Sequence, residues 1–100
     1  MSITIYDREI RDVCIIDDDV NSGYAMELTI ENTNLNPIAQ NEKILDIDNY
    51  ISHINQSFDA IVTDHHLRKK NYSPVNGAEI VYRCYDYTSP PFWLLEMLNL

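Results

Sequence analysis

Positive charge is scarce in this chain. Seven Lys and Arg stand against 16 Asp and Glu, leaving a formal net charge of -9. That balance argues against nucleic acid and anionic membranes as partners and favours cations and basic surfaces. Cysteine is sparse too. Cys14 and Cys84 each sit inside an apolar run, with no closely spaced ligand pair and no disulfide framework, so both read as buried free thiols in a cytoplasmic protein. No apolar stretch approaches the roughly 18 residues of a membrane span. The N-terminus alternates polar and apolar residues instead of placing a basic flank before an apolar core, which disfavours secretion. A length of 100 residues leaves room for one ordinary core, and 45% apolar with 23% charged residues describes a soluble domain, not a fibrous or disordered chain.

What is present is an alternation of strand and helix signals. Residues 1–11 form a charged lead-in, an N-terminal arm or short strand, and residues 12–100 form the domain. Val13, Cys14, Ile15 and Ile16 make a continuous apolar run cut off by Asp17, Asp18 and Asp19, as in a strand buried on both faces that reaches the edge of its sheet. A helix is expected from Asn21 to about Asn32, capped by Asp19 or Asn21, with Ala25, Leu28 and Tyr24 at helical spacing. Residues 35–40 give a weak strand whose Pro37 suits an edge. Ile44, Ile47, Ile51 and Ile54 then form one apolar stripe along a second helix, broadened by Tyr50, with His53 beside it as a structural or exposed residue. Residues 58–63 repeat the first strand's pattern and end on Asp64. Residues 65–76 read as an exposed loop, and Gly77 opens a third helix with Ile80, Val81 and Cys84 inward. Thr88, Ser89, Pro90 and Pro91 break that helix before a last strand at Phe92, Trp93, Leu94 and Leu95. This order predicts an α/β fold with a mostly parallel sheet flanked by helices.

In such sheets ligand-handling residues collect where strands give way to crossover helices. Asp17 and Asp18 leave the first strand and Asp64 leaves the third, so adjacent strands would gather three carboxylates in one crevice. The group repels itself unless protonated or neutralised, and hard oxygen donors with an open coordination sphere suit Mg2+. A single acid after a strand is more often a turn former or helix cap, and Asp19 keeps that reading.

Taken together, Ile15-Ile16-Asp17-Asp18-Asp19, the run Phe58-Asp59-Ala60-Ile61-Val62-Thr63-Asp64, the later Asn76-Gly77 and the strand from Pro91 to Leu95 resemble the receiver domain of two-component response regulators, over about residues 12–96. The resemblance implies a flavodoxin-like sheet of about four strands in the order 2-1-3-4. It implies Mg2+ held by Asp17, Asp18, Asp64 and the backbone carbonyl of His66, with Asp64 as the phosphoacceptor. It further implies a histidine kinase or phosphotransfer protein as donor, and a phosphoacceptor with at most slow self-dephosphorylation in place of a turnover enzyme.

Three departures accompany the resemblance. Glu96 falls where the family has Thr or Ser, and an ionised carboxylate cannot donate to a phosphoryl group. The chain stops before the family's fifth strand and its lysine, so the expectation is a receiver fold incomplete at its C-terminus. The segment from Asp64 to Gly77 is longer than the pattern and carries Arg68, Lys69 and Lys70. Glu96, Lys69 and Lys70 are therefore candidate modifiers of the pocket, against the plainer reading of the lysines as solvated. An unpaired last strand with Phe92, Trp93, Met97, Leu98 and Leu100 leaves either a homodimer or partner contact through the C-terminal edge, or an incomplete fold. Two functions stay open: a Mg2+-dependent phosphoacceptor in signal transduction, and a degenerate receiver acting as a phosphorylation-independent interaction module.

Overall fold

The computed structural model describes residues 3–5, 8–40, 42–64, 66–68, 71–85 and 93–97, with residues 3–5, 8, 85 and 93–97 described by their backbone. In chain order the elements are β1 (Ile3–Ile5), β2 (Arg8–Ile10), β3 (Asp12–Ile16), α1 (Val20–Glu31), β4 (Asn36–Gln40), α2 (Ile47–Ser57), β5 (Ala60–Asp64), α3 (Gly77–Tyr85) and β6 (Trp93–Met97). β1 and β2 pair as an antiparallel hairpin where the sequence offered an arm or one short strand. The main sheet runs β4-β3-β5-β6, and every neighbouring pair in it is parallel. The fold is thus a small α/β domain of generally flavodoxin-like layout.

Side-chain alternation along the central strands builds a core on each face of the sheet. Cys14, Ile16 and Ile61 join Ile51 and Ile54 of α2 and Ile80 and Cys84 of α3. On the opposite face Ile10, Val13, Ala60 and Val62 pack with Met26 and Ile30 of α1. β3 and β5 lie between the two cores, which is why their sequences read as unbroken apolar runs. Pro37 occupies β4, an edge strand in which a missing N–H costs no ladder bond on the open side.

Several expectations need correction. α1 turns Gly23, Met26 and Ile30 toward the sheet, while Tyr24, Ala25 and Leu28 are exposed, so the inward face is not the one their spacing suggested. Ile44 is buried in the α2 core but precedes the helix, because Asp46 caps α2 by accepting the Asn49 N–H. Phe58 caps the C-terminal end of α2 and lies outside β5. His53, by contrast, is exposed as its position allowed, its ring edge-on to Phe58. The segment after β5 is not simply an exposed loop. Leu67, Tyr72 and Ser73 in it are buried, tied by Ser73 N–H to Leu67 O (3.1 Å), Ile44 N–H to Tyr72 O (2.7 Å) and Tyr72 OH to Gln40 O (2.7 Å). The expected helix break at Thr88 to Pro91, along with Phe92, Leu98 and Leu100, lies outside the described residues.

Candidate functional site

Two parallel strands end side by side at the carboxyl edge of the sheet. Ile16 of β3 pairs with Thr63 of β5, so the next residues, Asp17 and Asp64, leave the sheet together. Three factors then fix the acids. Asp64 is the last residue of β5, and the Thr63 hydroxyl donates to its backbone carbonyl at 3.0 Å. Asp17 Oδ1 accepts the Asp19 backbone N–H at 2.9 Å, which turns the chain out of β3. Asp19 in turn caps α1, its Oδ1 accepting the N–H groups of Asn21 (2.9 Å) and Ser22 (3.4 Å). These bonds separate two roles within one acidic triplet: Asp19 serves the helix, and Asp17 and Asp18 are left facing Asp64.

One carboxylate oxygen each from Asp17, Asp18 and Asp64 lies within 4.8 Å of the others. Asp17 and Asp64 are buried and Asp18 is half-buried. At such separations a pair of like charges repels by about 3 kcal/mol at an effective dielectric constant of about 20. Burial pushes the Asp17 carboxyl above the ordinary carboxylate range. The charges of Asp64, Asp18 and Asp19 push the same way, against the Asp19 N–H bond that favours the ionised form. A hard divalent cation such as Mg2+ relieves that repulsion, and a donor set of oxygen ligands only, with Asp18 half-buried, suits it.

Tyr72 is the neighbour that sequence reasoning missed. Its hydroxyl donates to Gln40 O at the end of β4, and burial pushes its pKa up, reinforced by Cys14, Asp17 and Asp18. A neutral phenol anchored to the end of β4 therefore stands close enough to Asp17 and Asp18 to feel their charge. Nothing in the local sequence signalled it, since Tyr72 stands among polar and basic residues. The other core tyrosine, Tyr50, sets its OH 3.8 Å from Cys14 Sγ. The Cys14 and Cys84 thiols are both pushed up to about 12 by burial, which keeps them neutral packing groups.

The remaining expected site residues are placed as follows. His66 is exposed two residues beyond Asp64. His65, Lys69 and Lys70 lie outside the described residues. Glu96 is placed by its backbone, in register with Thr63 on the neighbouring strand. Among the described residues no helix is long and apolar enough to cross a membrane. The chain matches no family model, no curated protein and no solved structure, so what it can bind rests on the geometry of Asp17, Asp18 and Asp64.

Proposed function

We propose that this chain is a receiver-type phosphoacceptor domain of a two-component system, one that binds Mg2+ and takes a phosphoryl group on Asp64. The observation that carries the reading is the convergence of Asp17, Asp18 and Asp64 at the ends of two adjacent parallel strands. In it, Asp18 and Asp64 are direct ligands, Asp17 acts directly or through water, and the His66 carbonyl completes the protein's share. Bound there, Mg2+ supplies positive charge that offsets both the attacking carboxylate and the phosphoryl oxygens. An Asp64 oxygen attacks phosphorus in line. The new O–P bond forms as the N–P bond of the donor's phosphohistidine breaks, and the departing imidazole keeps the bonding electron pair and takes up a proton. Asp17 is held in place by the Asp19 N–H that its Oδ1 accepts.

The donor in this reading is a histidine kinase or phosphotransfer protein, and the chain is a signalling switch and not a turnover enzyme. A cytoplasmic location goes with it, supported by two buried free cysteines. A receiver-type fold and a homodimer or partner contact through β6 belong to the same proposal. Lys69 and Lys70 enter it as modifiers of the pocket.

A second reading is favoured by Glu96, whose backbone stands one strand over from Thr63 where the family carries a hydroxyl. It makes the chain a phosphorylation-independent interaction module. The two separate on incubation with Mg2+ and acetyl phosphate followed by intact mass measurement. One added phosphoryl group in the parent and none in Asp64→Asn supports the phosphoacceptor. A folded, Mg2+-binding parent that gains no mass leaves the interaction module.

A further inference from the structure

The segment between Asp64 and α3 is closed on itself and clipped to its neighbour. Leu67 is 0% exposed in the core shared with α2 and α3, and its carbonyl accepts the Ser73 N–H at 3.1 Å. Arg68 donates its N–H to Asn76 Oδ1 at 3.1 Å, just ahead of α3. Asn71 takes left-handed backbone at φ 56°, a conformation asparagine tolerates, immediately before Tyr72.

Tyr72 is the clip. Its hydroxyl donates to Gln40 O at 2.7 Å and its carbonyl accepts the Ile44 N–H at 2.7 Å, so one buried residue clasps the connection from β4 toward α2 at two points. Gln40 is in register with Ile16, and Ile16 with Thr63, which places the hydroxyl's anchor in the row of residues just before Asp17 and Asp64. Burial and Cys14 do most to raise the Tyr72 pKa, and the charges of Asp17 and Asp18 add to them, so the clasp lies within electrostatic reach of the acids.

We infer that Tyr72 is a positioning residue that gives the cation site its preference for Mg2+ over Ca2+, by holding the segment after Asp64 rigid against the end of β4. The inference rests on the reading of Asp17, Asp18 and Asp64 as a Mg2+ site, in which the carbonyl of His66, next to Leu67, is a ligand. Mg2+ demands a near-ideal octahedron at about 2.0–2.1 Å, whereas Ca2+ accepts about six to eight oxygens at about 2.3–2.6 Å in flexible arrangements. A clasped segment keeps the ligand set small and close. Loosening it costs Mg2+ first, because only Mg2+ depends on that precision. Tyr72 acts through the backbone and not as a ligand, its hydroxyl proton being committed to Gln40 O.

Tyr72→Phe keeps the ring in the core and removes only the bond to Gln40 O. Titration calorimetry with MgCl2 and CaCl2 should find the parent binding Mg2+ more tightly, and Y72F losing about tenfold in Mg2+ affinity against less than about twofold for Ca2+. Ile80→Val thins the same core without touching either bond of Tyr72, and should leave the ratio of the two affinities as in the parent. A further measurement needs no variant: in the unsubstituted chain, saturating Mg2+ should slow hydrogen exchange at the Ile44 and Ser73 amides more than saturating Ca2+ does. The inference is overturned, with the cation site left standing, by a parent that holds Ca2+ as tightly as Mg2+, by no loss or equal losses for the two ions in Y72F, by an I80V ratio shifted as far as that of Y72F, or by equal amide protection from the two ions. A folded parent that binds neither ion would sink the Mg2+ reading itself.

Discussion

Replacing Asp17 by Asn should make the metal-free protein more stable and remove its response to Mg2+. The substitution isolates charge, since Asn Oδ1 can still accept the Asp19 N–H that Asp17 Oδ1 accepts at 2.9 Å. It deletes one of three negative charges within 4.8 Å of each other. Each lost pair relieves about 3 kcal/mol at an effective dielectric of about 20. Half-buried Asp18 is screened by solvent, so the net gain should be smaller than the full pair repulsion, about 1–3 kcal/mol. Thermal unfolding in EDTA measures it. Mg2+ at tenfold its dissociation constant should stabilise the parent by about 1.4 kcal/mol, roughly 6–11 °C in midpoint for a domain of this size. The variant should show less than about a third of that shift. An Asp17→Asn protein less stable than the parent in EDTA, or one with an equal Mg2+ shift, would refute the argument that mutual repulsion makes this crevice a cation site.

The pH dependence follows from the same group. Because the folded Asp17 carboxyl sits above its unfolded value, the folded state holds a proton more tightly. Metal-free stability should therefore fall as pH rises from the ordinary carboxylate range through the raised value, and Asp17→Asn should flatten that slope in denaturant melts at stepped pH. Mg2+ stabilisation should show the opposite trend, fading as pH falls through the same window, since protons and cation compete for one site; titration calorimetry at two pH values checks it. Leu67→Ala should cost about 2–5 kcal/mol in urea unfolding, because Leu67 is 0% exposed within the core shared with α2 and α3, whereas a loss below about 0.5 kcal/mol would mean the segment is not packed there. Gly23→Ala should stabilise by about 0.5–1 kcal/mol: the added Cβ would meet the Cβ atoms of Ala39 and Asp17 at 3.9 Å, ordinary contact, at the end of the first turn of α1. A lower urea midpoint for that variant would show α1 seated closer to the sheet than this.

How much of this was legible depends on how each residue's environment leaves a pattern. β3 and β5 were legible because strands covered on both faces must be apolar throughout, and an acid marks where the cover stops, which also pointed to Asp17, Asp18 and Asp64. The face of α1 was not, because the helix has apolar residues on two sides and periodicity does not tell a core stripe from an exposed one. Tyr72 and Leu67 were hidden by the polar residues around them. Tyr72 is held by long-range bonds to Gln40 and Ile44, and Leu67 by packing in the core shared with α2 and α3, which no local window contains. Ile44 matched the α2 spacing, but a capping Asp46 sets the helix start after it. The β1–β2 hairpin has strands of three residues each, too short for an alternating pattern to stand out.

The most direct test is anomalous diffraction from crystals soaked in Mn2+, an ion that takes the same oxygen ligands as Mg2+ and scatters anomalously. The account predicts one strong peak at roughly 2.0–2.3 Å from carboxylate oxygens of Asp18 and Asp64, with Asp17 in contact directly or through water. A map with no peak between β3 and β5, or with manganese bound only at other surface acids, would contradict it.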